Sequence, residues 1–267
     1  MPELPEVETM CERMDRFRGR KITASNVLRS NGKYDTHGVV GNCIIQVLRR
    51  GKKMIFTLTG DKCLVVHNAM SGFWDSRNEP WTFDYVEGSR KATDKDVRIE
   101  FFLDGGDSLR FHDSRLFGSS RVVTWSEIEK ECSEMGPEAI RTPRMFPLAP
   151  VLNVLDMTII CDSKKPIKEV LMDQSRLAGV GNIYAAESLW MAQIHPLKPA
   201  KELGTQELTD LSDAIQGVLK SALANNLDYG VLNVYRQSEC DTCFSKIEKV
   251  EVAKRTTYFC PKCQEMR

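Results

Sequence analysis

Apolar residues recur at Leu4, Val7, Met10, Met14 and Phe17, the spacing of a helix with one buried stripe. Acidic residues lie early in this segment and Arg13, Arg16 and Arg18 late, which suits the helix macrodipole. From about Ile22 to Trp125 the period changes to two. Cys43, Ile45 and Val47, then Met54, Phe56 and Leu58, then Val97, Ile99, Phe101 and Leu103 alternate with polar neighbours, which predicts a mainly antiparallel sheet structure, a sandwich. Asp104-Gly105-Gly106-Asp107 stands where a hairpin turns. The stretch from Asp75 to Asp96 is polar and interrupted by Pro80 and Gly88, and reads as a long surface connection.

Four prolines and little periodicity between Met135 and Pro150 mark an interdomain linker. Beyond it the pattern is helical. Ile167, Val170 and Leu171 predict a short helix ending near Asp173, a glycine-containing turn spans Arg176 to Gly181, and a second helix runs from Ile183 to Ile194. Leu208, Leu211, Ile215, Val218, Leu219 and Ala222 mark a further helix, with Thr205 as its N-cap after Gly204. There is no internal repeat or low-complexity tract. The expected organisation is a domain over 1–134, a linker over 135–150, a helical domain over 151–236 and a terminal segment over 237–267.

With 267 residues and 42% apolar content, the chain is long enough for two packed domains. The longest apolar runs, such as Cys63-Leu64-Val65-Val66, are too short to cross a bilayer, and the acidic start lacks the basic and apolar regions of a signal peptide. The expectation is a soluble, intracellular protein. Lys plus Arg balances Asp plus Glu at 37 each, so net charge neither points to a polyanionic partner nor excludes one, because phosphate contacts need only local basic positions. Nine cysteines is an odd number, and Cys11, Cys43, Cys63, Cys132 and Cys161 lie scattered in strand-like or helix-like segments, the usage of reduced thiols.

The other four carry the strongest chemical signal. Cys240-x-x-Cys243 and Cys260-x-x-Cys263 stand sixteen residues apart, the spacing of two knuckles that place four thiolates tetrahedrally around zinc. With every position filled by sulfur there is no open site for water, so the metal is structural. Between the knuckles, Ile247 to Phe259 reads as a hairpin carrying Lys254 and Arg255 near its second strand; Arg255 is either a phosphate ligand or a solvated strand residue. The turn Leu177-Ala178-Gly179-Val180-Gly181-Asn182 lacks the third glycine of a dinucleotide fingerprint and follows a helix, not a strand, which argues against a nucleotide cofactor. Its backbone N–H groups at a helix N-terminus and the Asn182 amide can still grip a phosphate.

The opening Met1-Pro2-Glu3-Leu4-Pro5-Glu6-Val7-Glu8-Thr9 resembles the N-terminal signature of the formamidopyrimidine-DNA glycosylase and endonuclease VIII family, in its formamidopyrimidine branch. Arg49-Arg50-Gly51-Lys52, His67-Asn68-Ala69-Met70-Ser71-Gly72, Asp113-Ser114-Arg115-Leu116-Phe117-Gly118, Leu171-Met172-Asp173, Gly179-Val180-Gly181-Asn182-Ile183-Tyr184-Ala185 and the four-cysteine tail follow in that family's order, so the likeness spans nearly the whole chain. It implies an α+β fold: an N-terminal helix with an antiparallel β-sandwich, then a helix-two-turn-helix domain with a C-terminal zinc hairpin, with DNA in the cleft between and the protein a monomer.

The resemblance also implies roles. Once Met1 is removed, Pro2 is a free secondary amine that is partly unprotonated at neutral pH and can attack the sugar C1′; with Met1 retained, its nitrogen is a tertiary amide and cannot. Glu3 is the acid that assists ring opening, Glu6 a second group for proton handling, Lys52 the phosphate contact that aids β-elimination, and Arg255 the hairpin arginine of δ-elimination. Zinc is the single cofactor, held by Cys240, Cys243, Cys260 and Cys263. The partner is duplex DNA carrying oxidised bases or abasic sites, contacted through His67, Met70, Arg115, Phe117, Lys164 and Asn182. Met70, Arg115 and Phe117 fill the hole left when the target nucleotide flips out. Of Lys164, Lys165 and Lys168, Lys164 is assigned to the lesion strand, the alternative being a solvated helix start.

Two features depart from the family. Asn226 to Tyr235 passes almost directly into Cys240, where relatives that excise 8-oxoguanine well carry a long loop closing over the flipped base, so formamidopyrimidines, hydantoins or oxidised pyrimidines are open as preferred lesions. Asp94-Lys95-Asp96 stands where many relatives carry histidines near DNA. The alternatives are a non-catalytic damage-binding protein of the same fold, which would lack Pro2, Glu3 or Lys52, and a zinc-ribbon interaction protein with no affinity for abasic duplexes.

Overall fold

The opening stripe forms α1, Leu4–Asp15, and its Val7, Met10, Cys11 and Met14 all enter one buried apolar cluster. Pro5 sits in the first turn, where its missing N–H removes no helical bond. Glu6 reaches back to accept the Glu3 N–H at 2.7 Å, which ties the helix start to the residues before it. The computed structural model describes residues 1–28, 32–80 and 93–266. The chain divides into two compact units, one of residues 1–134 with 142–149 and the other of 135–141 with 150–267.

In the first unit α1 is followed by β1 (Ile22–Val27), β2 (Ile44–Arg50), β3 (Lys53–Leu58), β4 (Lys62–His67), β5 (Phe73–Ser76), β6 (Val97–Leu103), β7 (Ser108–His112) and β8 (Ser119–Val123). They form two antiparallel four-stranded sheets, ordered β1-β6-β7-β5 and β2-β3-β4-β8. Val47, Met54, Phe56, Leu64 and Val66 of one sheet and Ile22, Trp74, Ile99, Phe101 and Phe111 of the other share a single core, with the Phe56 and Trp74 rings 4.9 Å apart. This is a sandwich. Gly105 and Gly106 both take positive φ in the four-residue turn, 104–107, between β6 and β7, a backbone that glycine adopts without steric cost.

Several expectations change. The alternation Cys43-Ile45-Val47 puts Ile45 inside, but the β2–β3 register shifts between Ile44 and Gln46, so Ile44 is 1% exposed and Ile45 49%. A bulge inserts one residue and inverts the faces on one side of it. Sheet structure ends at β8, and Trp125 begins a helix, α2 (Trp125–Ser133). Thr124 accepts the Glu127 N–H at 3.3 Å while Glu127 accepts the Thr124 N–H at 2.7 Å, a capping box legible as Thr-x-x-Glu. Ile128 and Cys132 of α2, with Phe146, cover the outer face of β2, β3 and β4 through Leu48, Ile55, Cys63 and Val65, so β3 is buried on both faces.

Asp75 is no loop residue. It lies buried in β5, where Arg110 donates to both its oxygens at 2.9 and 2.7 Å and His112 meets it at 3.0 Å, and a charge compensated from a neighbouring strand reads as loop when seen alone. Asp96 is likewise buried; the middle of the expected connection, 81–92, lies outside the described residues.

The proline-rich stretch 135–150 is not a free tether. Phe146 N–H donates to Arg49 O at 2.7 Å, and Glu8 accepts from Thr142 Oγ1 at 2.7 Å and Arg144 N at 2.8 Å, fixing 142–149 to the sandwich. Residues 135–141 bond to the second unit through Gly136 N to Gln174 O at 3.1 Å and Ala139 N to Ala178 O at 3.2 Å.

The second unit contains α3 (Val154–Ile160), α4 (Ile167–Met172), α5 (Asn182–Met191), α6 (Thr205–Ala224) and the hairpin β9 (Glu248–Val252) and β10 (Arg255–Phe259). The expected pair of helices about a tight turn is α4 and α5, the latter ending three residues earlier than its apolar pattern implied. α3 was not foreseen, although Asn153 caps it by accepting from Leu155 N at 2.9 Å. The N-cap of α6 is Gly204 and not Thr205, which is its first helical residue; Glu207 accepts the Gly204 N–H at 2.9 Å. Among the described residues no helix is long and apolar enough to cross a membrane.

Candidate active site and nucleic-acid interface

In the first unit, Pro2 and Glu3 are buried immediately before α1. The Glu6 carboxylate is committed to the Glu3 N–H, so Glu6 orients the Glu3 backbone and with it the Pro2–Glu3 peptide. Lys52 does not lie on a strand. It occupies the two-residue turn between β2 and β3, after Gly51 at φ +56°. Its neighbour Lys53 pairs with Glu131 of α2, so the two adjacent lysines have different environments.

His67 ends β4 opposite Lys53 in the ladder. Its Nδ1 accepts the Ala69 N–H at 3.1 Å, which puts the proton of the neutral ring on Nε2. Desolvation by partial burial, then the Lys53 and Lys52 ammonium groups, hold its pKa below the ordinary imidazole value. A neutral Nε2–H donor beside two lysines suits a phosphate oxygen.

Met70 lies half-buried in the turn between β4 and β5, and Arg115 and Phe117 in the turn between β7 and β8. Leu116, at φ +57°, packs on the core and sends its two neighbours outward, leaving Phe117 51% exposed with the Arg115 guanidinium 5.1 Å from its ring centre. The two turns are brought together by Asp113, which bonds to Ser71 and to the Arg115 and Gly118 N–H groups. Asp113 opens the Asp113-Ser114-Arg115-Leu116-Phe117-Gly118 motif, but nothing local in the sequence marks its carboxylate as a junction.

In the second unit, Asn182 opens α5 and its side-chain amide donates to Thr256 O of β10 at 3.1 Å, next to Arg255. Arg255 is exposed at the start of β10, after a turn in which Ala253 and Lys254 take φ of +49° and +60°. Lys164 is exposed ahead of α4, while Lys165 pairs with Glu169 at 2.7 Å. It is the third lysine, Lys168, fully buried, whose Nζ donates to Asn182 O at 3.1 Å.

Glu187 went unnoticed in the sequence, although one acid in the apolar run of α5 is a signal of a buried partnered charge. Its carboxylate accepts from the backbone N–H groups of Asn233, Val234 and Tyr235 at 2.8–3.0 Å and from Asn233 Nδ2 at 3.0 Å. It thereby fixes the short passage from α6 to the first knuckle, which contains only a turn of 3-10 helix at Tyr229–Val231.

The sulfur atoms of Cys240, Cys243, Cys260 and Cys263 all lie within 4.8 Å of one another, two pairs at 3.8 and 3.4 Å. Four thiolates at ~2.3 Å from a tetrahedral zinc stand roughly 3.8 Å apart, so the cluster fits one structural zinc ion held by these four cysteines. Trp190 Nε1 donates to the Cys240 sulfur at 3.3 Å and Cys263 N to that of Cys260 at 3.4 Å, the outer hydrogen bonds that orient such ligands.

The chain matches known proteins along nearly its whole length. Residues 1–120 match the formamidopyrimidine-DNA glycosylase N-terminal domain, 147–231 the formamidopyrimidine-DNA glycosylase H2TH domain, and 238–265 a zinc finger found in that enzyme and in IleRS. The chain is 34% identical to the formamidopyrimidine-DNA glycosylase of Protochlamydia amoebophila, over 99% of this chain and 100% of that one. It is also 34% identical to that of Herpetosiphon aurantiacus, with the same coverage. The Lactococcus lactis enzyme bound to DNA containing an abasic site superimposes with a TM-score of 0.82 at 29% identity, covering 99% and 100% of the two chains. MutM from Thermus thermophilus gives 0.81 at 30% identity, covering 98% of each. With the sandwich, the paired helices and the zinc hairpin all matched along its length, the chain belongs to the formamidopyrimidine-DNA glycosylase family.

Proposed function

We propose that this chain is a bifunctional DNA glycosylase and abasic-site lyase that removes oxidised bases from duplex DNA. The observation that carries the reading is the burial of Pro2 and Glu3 together at the start of α1, with the Glu3 backbone clamped by Glu6. After removal of Met1, the Pro2 nitrogen attacks the sugar C1′. The bond from C1′ to the base breaks, and the base leaves with the electron pair and takes up a proton. Glu3 protonates the ring oxygen as the sugar opens, leaving an iminium between C1′ and Pro2. This electron sink acidifies the C2′ proton, whose loss expels the 3′ phosphate; a second elimination from C4′ expels the 5′ phosphate.

Lys52 and His67 in one unit, and Asn182, Lys164 and Arg255 in the other, hold backbone phosphates. Arg255 aids the second elimination in this scheme, and Met70, Arg115 and Phe117 occupy the vacated space in the duplex. The zinc takes no part in bond making and fixes the hairpin that presents Arg255. The short Leu227–Tyr235 passage, tied down by Glu187, leaves little chain to close over a flipped base. It therefore favours formamidopyrimidines, hydantoins or oxidised pyrimidines over 8-oxoguanine.

The test is borohydride trapping of protein shown by intact mass to lack Met1, on duplexes carrying an abasic site, 8-oxoguanine, a hydantoin or an oxidised pyrimidine. A covalent complex with wild type that is lost in Pro2→Gly is expected, with 8-oxoguanine giving the lowest yield of the four. Processed protein that binds the abasic duplex without ever trapping would instead be a non-catalytic damage-binding protein.

A further inference from the structure

Asp113 is fully buried after the last residue of β7, and its carboxylate joins three separate stretches of chain. Oδ1 accepts from Ser71 Oγ and from the Arg115 N–H at 3.2 Å; Oδ2 accepts from the Tyr34 hydroxyl at 2.8 Å and the Gly118 N–H at 2.7 Å. Two bonds to each oxygen use all the acceptor positions an ionised carboxylate offers. Ser71 follows Met70 in one turn, while Arg115 and Gly118 bracket Leu116 and Phe117 in the other. Tyr34 belongs to the buried core, its ring meeting Phe111 edge-on at 5.9 Å.

The backbone of Asp113 is equally fixed: its N–H donates to Asp96 O at 2.9 Å and its carbonyl accepts from Arg98 Nε at 2.8 Å. Gly118 is required for this closeness, since a Cβ there would lie 2.9 Å from Asp113 Oδ2, 3.1 Å from His67 O and 3.2 Å from the Phe111 ring. The left-handed backbone of Leu116 carries an energetic cost that the surrounding bonds must offset. Burial of the Tyr34 ring and its bond to Asp113 raise the tyrosine pKa, which keeps the hydroxyl a donor at all working pH values.

We propose that Asp113 is a positioning residue for duplex opening: one buried carboxylate sets the spacing of Met70 against Arg115 and Phe117, so that the three enter the base stack as a single pre-formed wedge. This rests on the reading that those three side chains fill the hole beside the flipped nucleotide. An asparagine at 113 keeps the shape but turns an NH2 group toward two of the four donors, so the junction of the two turns, to which the Arg115 N–H also contributes a 3.2 Å bond to Ser71 Oγ, is loosened. The wedge then has to be ordered during insertion and no longer beforehand.

The experiment follows 2-aminopurine emission, as the partner strand unstacks, on a duplex containing a tetrahydrofuran abasic analogue. It is paired with borohydride trapping on a single-stranded abasic oligonucleotide, where there is no partner base to displace. For Asp113→Asn we expect insertion slowed about tenfold or more, as the loss of a buried charge-assisted bond implies, with single-strand trapping essentially as in wild type. Tyr34→Phe removes one donor to the carboxylate and should show a smaller loss of the same duplex-only kind; Ser71→Ala removes the donor in the Met70 turn together with the acceptor of the Arg115 N–H, and should show a loss of that kind as large as that of Asp113→Asn.

Wild-type insertion by folded Asp113→Asn overturns the proposal, as does equal impairment on single and double strands. If Asp113→Asn does not fold, Tyr34→Phe and Ser71→Ala decide in its place, and wild-type insertion by both overturns it. A double variant Arg115→Ala, Phe117→Ala serves as reference. Should that variant insert like wild type, the hole-filling reading itself fails; should it be defective while the Asp113, Tyr34 and Ser71 variants are not, only the positioning role fails.

Discussion

The two regions that present side chains to DNA in the proposed function, the Asp113 turns of the first unit and the zinc hairpin of the second, solve the same problem in opposite ways. The turns leave a sandwich whose main core gathers twenty buried residues among those described, so one carboxylate suffices to pin their tips. The hairpin has two strands with five paired positions, and the cluster beneath it has five buried residues, two of which are the zinc ligands Cys240 and Cys260. A two-stranded hairpin is marginal in water. Where apolar burial is ample, hydrogen bonds refine a structure that already exists; where it is scarce, metal coordination must supply the folding energy.

Zinc removal should break this comparison most sharply. Binding by four thiolates contributes on the order of 10 kcal/mol or more. Chelation, or Cys260→Ser, should therefore abolish hydrogen-exchange protection over β9 and β10 and collapse DNA affinity, while β3 and β4 amides stay protected. Loss of protection throughout the chain would mean that the hairpin's order is not a local matter.

Glu187 tests the intermediate case, a buried carboxylate that organises a segment with little core of its own. Glu187→Gln places an amide against four donors and should lower stability by about 2–4 kcal/mol in denaturant unfolding, with the loss of protection centred on Asn233–Tyr235. An effect below that range would show that the passage is held by something else.

Asn68 sharpens the comparison in the other direction. It is buried in the turn beside Asp113, yet neither end of its amide finds a hydrogen-bond partner among the described residues. Asn68→Leu should raise stability by about 1–2 kcal/mol, since burying an unpartnered amide is unfavourable; a lower melting temperature would reveal a partner for it.

The smallest effect belongs to His67. Its folded pKa is held below the ordinary value by desolvation and by Lys53 and Lys52, so the unfolded chain takes up a proton at higher pH than the folded one does. Stability should thus be full above pH ~6.5 and decline as pH falls from there toward the lower folded value. The melting temperature of wild type, followed from pH 7.5 to pH 5.5 beside His67→Gln, should show a slope in that window that the variant lacks.

Much of this was legible beforehand because it is local. The stripe Val7, Met10, Met14 predicted α1, the two CxxC pairs predicted the thiolate cluster, and Gly105-Gly106 predicted the hairpin turn. Two helices were missed whose capping residues were in plain view, Thr124 with Glu127 and Asn153 with Asp156. Other errors had no local signal. Nothing in Cys43-Ile44-Ile45 announces a bulge, because which residue is extra depends on the partner strand. Asp75 reads as loop until Arg110, thirty-five residues away, is placed across from it.

The sequence by itself determined the periodicities and the metal ligands, which depend on neighbours within one or two turns of chain, and supplied the candidates for the reactive side chains. Only the tertiary structure decided that Lys52 lies in a turn, that Lys168 and not Lys164 bonds to the Asn182 backbone, and that Asp113 joins Tyr34, seventy-nine residues distant, to Ser71 and Gly118. The reason is that a buried polar group is satisfied by whatever donors the packing of distant strands brings within about 3 Å, and strand register is a property of the assembled sheets.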